Sequence, residues 1–198
     1  MRSSQLARRP TASQLFISPK CEVAIPIRNL LLRDVLEQAS LDPEVRAIRY
    51  RQAPNFGAQV ALTGVIIDRT DGRFMLAVYA SKPRRPPEEF DRLERMLGGI
   101  GFRLLELDAH DIKSEPTFSN AREIWSHQRY EVPLRDRLKI SAALEEGPQS
   151  ILELEDRARP SCDILRALCA LACEDLVEIS ITGMPLGTFS IVRARHSV

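Results

Sequence analysis

Two apolar runs joined by a short polar turn stand in the middle of the chain. Val60–Asp68 and Arg73–Ala80 are rich in β-branched and other apolar residues, and Asp71-Gly72 lies between them. An Asp-Gly pair between two such runs predicts a β-hairpin, because glycine accepts the positive φ that a tight turn needs. Much of each run is apolar at successive positions, which indicates a sheet covered on both faces.

The flanking patterns extend this hairpin into an α/β unit. Apolar stripes at helical spacing predict helices over Ile27–Ala39 and Pro86–Leu97, with strands over Glu44–Gln52 and Phe102–Leu107. The residues predicted to be buried on the two helices are Leu30, Leu31, Val35, Leu36, Phe90, Leu93, Met96 and Leu97. A crossover through the second helix would make the last strand parallel to its neighbour. The predicted order is helix, strand, strand, strand, helix, strand, with a turn over Pro54–Gly57 and a further helix over Asn120–Tyr130.

The pattern changes after Pro133. Helices are predicted over Leu134–Glu146, Ser150–Arg157 and Ser161–Asp175, followed by strands over Leu176–Ile181 and Thr188–Ala194. Ser150 and Glu153 have capping-box spacing. Three helices and a β-hairpin are the plan of a winged helix domain. The sequence therefore predicts a flexible tail over residues 1–22, an α/β domain over 23–132 and a winged helix-like domain over 133–198.

Composition and charge narrow the function classes. The chain has 198 residues and a net charge of +1, so attraction to nucleic acid would have to come from a local patch. We expect a cytoplasmic protein, because no apolar run reaches the length of a membrane span and the N-terminus lacks the apolar core of a signal peptide. The cysteines, Cys21, Cys162, Cys169 and Cys173, lack zinc-site spacing and are expected to be small buried side chains, so no metal site is predicted.

Several short motifs in this order resemble those of TnsA-type transposon endonucleases. The motifs are Leu41-Asp42-Pro43-Glu44-Val45, Tyr50-Arg51-Gln52-Ala53-Pro54, Asp71-Gly72-Arg73, Gly101-Phe102-Arg103-Leu104-Leu105, Asp111-Ile112 and the segment Glu145–Ile151. The resemblance covers about residues 27–194. It implies a restriction-endonuclease-like αβββαβ core followed by a small α+β winged helix domain.

The catalytic pattern of that family is missing from this chain. Such enzymes carry a glutamate on the first helix, an aspartate on the second strand and a Glu-x-Lys on the third, and the carboxylates hold Mg²⁺. The corresponding positions here fall at Arg28 (or Leu32), Val65, Ala77 and Tyr79. The resemblance therefore implies a protein that has lost its metal anchors and needs no cofactor.

A migrated catalytic site is the alternative. Its candidates are Glu37, Asp68 and Lys82, with Glu88 or Glu89 as a relocated acid. Such a site would make the protein an active Mg²⁺-dependent endonuclease. Asp111-Ile112-Lys113 also matches Asp-x-Lys, but it follows the later strand.

Basic residues offer candidate contacts to nucleic acid. The candidates are Lys82, Arg84, Arg85, Arg166, Arg193 and Arg195. The outward face predicted for the helix over Ser161–Asp175 carries Asp163, Arg166, Ala167, Ala170 and Glu174, which is poor chemistry for reading bases. A protein-docking role fits equally, with the apolar turn Met184-Pro185-Leu186 as a contact tip.

The expected function is that of a catalytically inactive TnsA-like pseudo-nuclease. It would bind DNA, a protein partner or both in a transposition, phage or regulatory complex. The alternatives are the active endonuclease with a migrated site and a winged helix transcriptional regulator.

Overall fold

The computed structural model describes residues 14–51 and 61–195, which form a mixed α/β protein. Within these ranges the strands are β1 Gln14–Phe16, β2 Ile25–Ile27, β3 Val45–Tyr50, β4 Leu62–Arg69, β5 Gly72–Tyr79, β6 Arg103–Asp108, β7 Gln149–Ser150, β8 Val177–Ile179 and β9 Ile191–Ala194. The helices are α1 Leu30–Leu41, α2 Pro87–Gly98, α3 Ala109–Ile112, α4 Thr117–Ser126, α5 Leu134–Leu144, α6 Ile151–Ala158 and α7 Ile164–Cys173. The predicted turn over Pro54–Gly57 lies outside the described residues.

A four-stranded mixed sheet of order β3-β4-β5-β6 forms the centre of the first part. The predicted hairpin is confirmed: Arg69 pairs with Gly72, whose φ is +147°, across a turn of two residues. The strand β6 runs parallel to β5 after the crossover through α2, as predicted. Pro87 begins α2 because proline at a first helical position needs no backbone donor.

The two faces of this sheet pack against different layers. Val65, Ile67, Leu76 and Val78 belong to the main hydrophobic core, together with residues of α1 and α4. Because side chains alternate along a strand, Ile66, Met75 and Ala77 point to the opposite face, and they are also buried. The hairpin is therefore covered on both sides, as expected.

The predicted helical stripes need correction. Leu30 is exposed because α1 begins only there, capped by Asn29, and Leu32 is buried in its place. On α2, Leu93 and Leu97 are buried, whereas Phe90 and Met96 are exposed. Only a narrow side of α2 contacts the sheet, so the helix buries fewer apolar side chains than its spacing predicted.

The N-terminal segment differs from the expected flexible tail over residues 1–22 in its described part. From Gln14 onward it forms β1, which pairs antiparallel with β2. Phe16 is buried against Trp125, with ring centroids 5.1 Å apart. Lys20 is also buried, and burial lowers the pKa of its ammonium group to about 8.

The C-terminal part contains α5, α6 and α7 with a three-stranded sheet of order β7-β9-β8. The Ser150–Glu153 capping box is confirmed at the start of α6. Asp136 of α5 is buried and accepts hydrogen bonds from the backbone N–H (3.0 Å) and hydroxyl (2.7 Å) of Ser161. These bonds lower the pKa of the Asp136 carboxyl to about 2 and tie α5 to the segment before α7.

One hydrophobic core includes residues on both sides of the predicted boundary at residue 133. The side-chain amide of Asn120 on α4 donates to the carbonyls of Ile181 and Met184, each at 2.8 Å, and its oxygen accepts from Leu186 N–H. The division into two domains stays a prediction. Among the described residues, no helix has the length and apolar character to cross a bilayer.

Two of the cysteines are buried on α7, as expected of small apolar side chains. Burial raises the pKa of the Cys169 and Cys173 thiols to about 12, so both stay protonated. Cys21 and Cys162 are half-buried, and all four thiols are free.

Candidate functional site

A polar cluster lies where the parallel strands β5 and β6 end. It consists of Tyr79, Arg85 and Glu106, and we call it the Tyr79 cluster. Arg85 Nη1 donates to Glu106 Oε1 at 2.5 Å, and Arg85 Nη2 donates to the Tyr79 hydroxyl at 2.7 Å. The Tyr79 hydroxyl in turn donates to Glu106 Oε1 at 2.9 Å. Each member is bonded to the other two.

The strand register explains why these residues meet. In the parallel pair, Ala77 lies beside Glu106 and Tyr79 beside Asp108. Residues two apart on a strand share a face, so Tyr79 and Glu106 project to the same side. Arg85 follows β5 and lies against the Tyr79 ring, with its guanidinium carbon 5.5 Å from the ring centroid. Its side chain is only 7% exposed, so its pairing with Glu106 is shielded from water.

The corner of the chain that follows β5, next to the Tyr79 cluster, contains Lys82, which also has acidic partners. Lys82 Nζ lies 2.7 Å from Asp111 Oδ2, and the Lys82 backbone N–H donates to Asp108 Oδ2 at 3.3 Å. The hydrogen bond between Lys82 and Asp111 raises the pKa of the lysine and lowers the pKa of the carboxyl. Asp108 itself caps α3. The acid of the Asp-x-Lys match therefore belongs to this corner.

The positions expected, from the resemblance, to replace the endonuclease carboxylates do not converge. Val65 and Ala77 are both fully buried, and Val65 lies in the main core whereas Ala77 faces the other side of the sheet. Arg28 precedes α1 and donates to the Tyr50 hydroxyl at 3.3 Å. Tyr79, expected from the resemblance at the lysine position, belongs to the Tyr79 cluster.

A shift of the motif by one residue would not supply a metal site. The core-facing positions of the hairpin are Val65, Ile67, Leu76 and Val78, which are apolar and buried. The opposite face has buried Ile66, Met75 and Ala77 between Asp68 at one end and Tyr79 at the other. Neither face of the hairpin presents a pair of carboxylates.

Two of the migrated-site candidates, Asp68 and Lys82, lie towards opposite ends of β5. Asp68 pairs with Arg73 at the turn end of the hairpin. Tyr79 is six positions further along β5, about 20 Å away, and Lys82 follows it. Asp68 is bound to Arg49 instead, with Oδ2 3.3 Å from Nη2.

Glu37 lies on α1, on the core side of the sheet, and it too has a partner other than Lys82. Arg33 donates to its carboxylate at 2.7 Å, and burial raises the pKa of Glu37. Glu88 and Glu89 lie in the first turn of α2. Among the described residues, no group of three or more His, Cys, Asp or Glu could hold a metal ion.

Most of the candidate phosphate contacts have acidic partners. Arg166 lies 3.7 Å from Asp163, Arg193 lies 3.9 Å from Glu178, and Arg195 lies 3.0 Å from Asp175. Lys82 and Arg85 are paired as described above, and Arg84 is exposed. The arginines and lysine proposed as contacts are spread over two regions rather than gathered in one basic groove.

The outward face predicted for the last helix is wrong at two positions. Ala167 and Ala170 have 0% exposure, and every residue from 167 to 173 is buried. The helix α7 packs against α4 on one side and α6 and β8 on others. Of the residues predicted to face outward, Asp163 and Arg166 are exposed and Glu174 is half-buried. A helix covered in this way cannot enter a DNA major groove along its length.

Sequence reasoning did not select Glu106. Its one signal was a single carboxylate between leucines within a predicted strand, Leu104-Leu105-Glu106-Leu107. A charge at such a position requires a partner. The partner is Arg85, which follows the neighbouring strand β5, so the contact depends on the register between β5 and β6.

Comparison of the sequence with models of known protein families and with curated proteins found no match to either.

Glu106→Ala is expected to lower the free energy of unfolding by about 1–3 kcal/mol, because it removes the carboxylate from a shielded guanidinium. Chemical denaturation followed by circular dichroism measures this. Glu94→Ala on the exposed side of α2 is the control, with an expected change within about 0.5 kcal/mol. Equal effects of the two substitutions would show that the Tyr79 cluster does not stabilise the fold.

Proposed function

We propose that this protein is a non-catalytic assembly module, a TnsA-like pseudo-nuclease with a restriction-endonuclease-like core and a winged helix-like C-terminal part. The observation that carries the proposal is the apolar hairpin: both faces of β4 and β5 are buried and neither presents two carboxylates. A two-metal or one-metal nuclease needs such acids to hold Mg²⁺ and activate water. The order helix, three strands, helix, parallel strand supports the core assignment.

A protein partner is favoured over sequence-specific DNA binding. The buried face of α7 leaves few side chains to reach base edges, and the cations near it are ion-paired. Breaking those ion pairs costs free energy, and this cost would offset much of the free energy gained from contacts to phosphate. The partner in this proposal is therefore a protein of a DNA-transaction complex, with any contact to DNA confined to its backbone.

The test is a combined binding and cleavage assay on supercoiled and linear DNA with Mg²⁺ or Mn²⁺. We expect no cleavage with either metal, and at most weak binding that disappears as salt increases. Cleavage that Asp68→Ala or Lys82→Ala abolishes would overturn the proposal in favour of a migrated site. A sequence-selective gel shift that persists at high salt would instead favour a transcriptional regulator.

A further inference from the structure

The outer face of α5 carries an exposed stripe with an unusual composition. Its members, which we call the α5 stripe, are Leu134, Arg135, Leu138, Ser141, Ala142 and Glu145. Leu134 is 72% exposed and Leu138 is 63% exposed. These two leucines are one turn apart, so they form a continuous apolar ridge on the helix surface.

The charges at the two ends of the stripe are opposite in sign. Arg135 stands at one end and Glu145 at the other, ten residues or about 15 Å along the helix axis. Neither has an ion-pair partner among the described residues, although Arg137, near the start of α5, and Glu146, just after its end, each have one. The stripe thus presents a free cation and a free anion separated by leucines and small residues.

This arrangement is complementary to itself when reversed. If a second α5 lies antiparallel about a two-fold axis near residue 140, Arg135 of each copy lies opposite Glu145 of the other. The same reversal sets Leu138 opposite Ala142, a large side chain against a small one. A two-fold axis repeats each contact, so one stripe supplies both halves of the interface.

A groove beside the stripe can receive the ridge of another copy. It lies between α5 and the β8–β9 end of the small sheet and has a volume of about 480 Å³. Leu138, Ser141, Leu144 and Leu176 line it, among others, and Leu176 is 50% exposed. The protruding leucines are adjacent to this groove, whose apolar lining is bordered by Arg137, Glu145 and Arg195.

We propose that the α5 stripe is the interface of a symmetric homodimer in which two α5 helices pack antiparallel. The proposal does not depend on the proposed function, since it uses a different surface. One helix face and its adjacent groove form a small interface, so the dimer is expected to have a Kd on the order of 10 µM.

Sedimentation velocity over a concentration series tests this on the full chain. Arg135→Glu and Glu145→Arg are each expected to raise the Kd about tenfold, because each creates two like-charge contacts by symmetry. The double variant Arg135→Glu/Glu145→Arg restores both pairs with reversed signs and is expected to return to the wild-type Kd. Leu138→Glu is expected to leave only monomer.

Leu30→Glu is the matched control, since Leu30 is also 72% exposed but lies on α1. It is expected to leave the Kd unchanged, and circular dichroism checks that every variant is folded. A wild-type chain that stays monomeric at concentrations ten times the expected Kd would overturn the proposal. Failure of the double variant to recover would equally exclude the antiparallel pairing.

Discussion

Ala167→Arg is expected to lower the free energy of unfolding by more than about 4 kcal/mol, enough to unfold a protein of ordinary stability. Ala167 has 0% exposure, and its neighbours on α7, from Leu168 to Cys173, are buried as well. An arginine at this position would force a guanidinium into an apolar layer and would also exceed the available volume. Denaturant unfolding followed by the fluorescence of Trp125, which is buried next to this core, measures the loss.

Arg166→Ala is the control on the adjacent residue. Arg166 is exposed and, within residues 14–51 and 61–195, its one ion pair is with nearby Asp163, so its loss is expected to change stability by no more than about 0.5 kcal/mol. A base-reading helix would give the reverse pattern: Ala167→Arg would be tolerated and Arg166→Ala would weaken DNA binding. A folded, stable Ala167→Arg protein would contradict the buried position of α7.

The elements with strong local signals were predictable from sequence. The hairpin depended on Asp71-Gly72 between two apolar runs, and the start of α6 on the Ser150–Glu153 pair, and both are confirmed. These signals act between residues close in the chain, so they survive without tertiary information. The short strands β1 and β7 have no such signal, because they exist only through pairing with β2 and β9.

The burial of helix faces was less predictable. The sequence of α7 contains apolar residues on nearly all sides, and the prediction assigned Ala167 and Ala170 to the surface because alanine fits either environment. The number of neighbouring elements decides how much of a helix is buried. The helix α7 is enclosed by α4, α6 and β8, whereas α2 contacts the sheet along one side and leaves Phe90 exposed. Spacing along one helix carries no information about how many elements surround it.

The candidate site shows the same limit. The structure places Val65 and Ala77 on opposite sides of the sheet, whereas the sequence, through its resemblance to the endonucleases, predicted them only as positions where carboxylates are missing. It also pointed to Lys82 and Arg85, but as phosphate contacts, because Glu106 and Asp111 come near them only through the parallel register of β5 and β6. Charge partners that are distant in the chain decide whether a basic residue is available to a ligand.

Trp125→Ala is expected to lower the free energy of unfolding by about 3–5 kcal/mol, since it empties a large volume where three elements meet. The Trp125 side chain on α4 is 6% exposed and packs on Phe16 of β1, and its indole N–H donates to the Glu37 carbonyl of α1 at 2.9 Å. Its removal leaves a cavity and takes one of two side-chain donors from the Glu37 carbonyl, which still accepts from the Ser40 hydroxyl at 2.9 Å. Because this is the only tryptophan in the chain, circular dichroism must follow unfolding in this variant.

Two further substitutions separate the contribution of the Trp125 hydrogen bond from that of its buried ring. Trp125→Phe keeps an aromatic ring but removes the donor, so part of the loss, about 1 kcal/mol for the hydrogen bond, should remain. Phe189→Ala removes an aromatic side chain that is 71% exposed and is expected to change stability by less than about 0.5 kcal/mol. If Trp125→Ala cost no more than Phe189→Ala, α4 would not hold β1 and α1 together. The contact between Phe16 and Trp125 would then contribute little to holding the segment from Gln14, and the pairing of β1 with β2 would hold it instead.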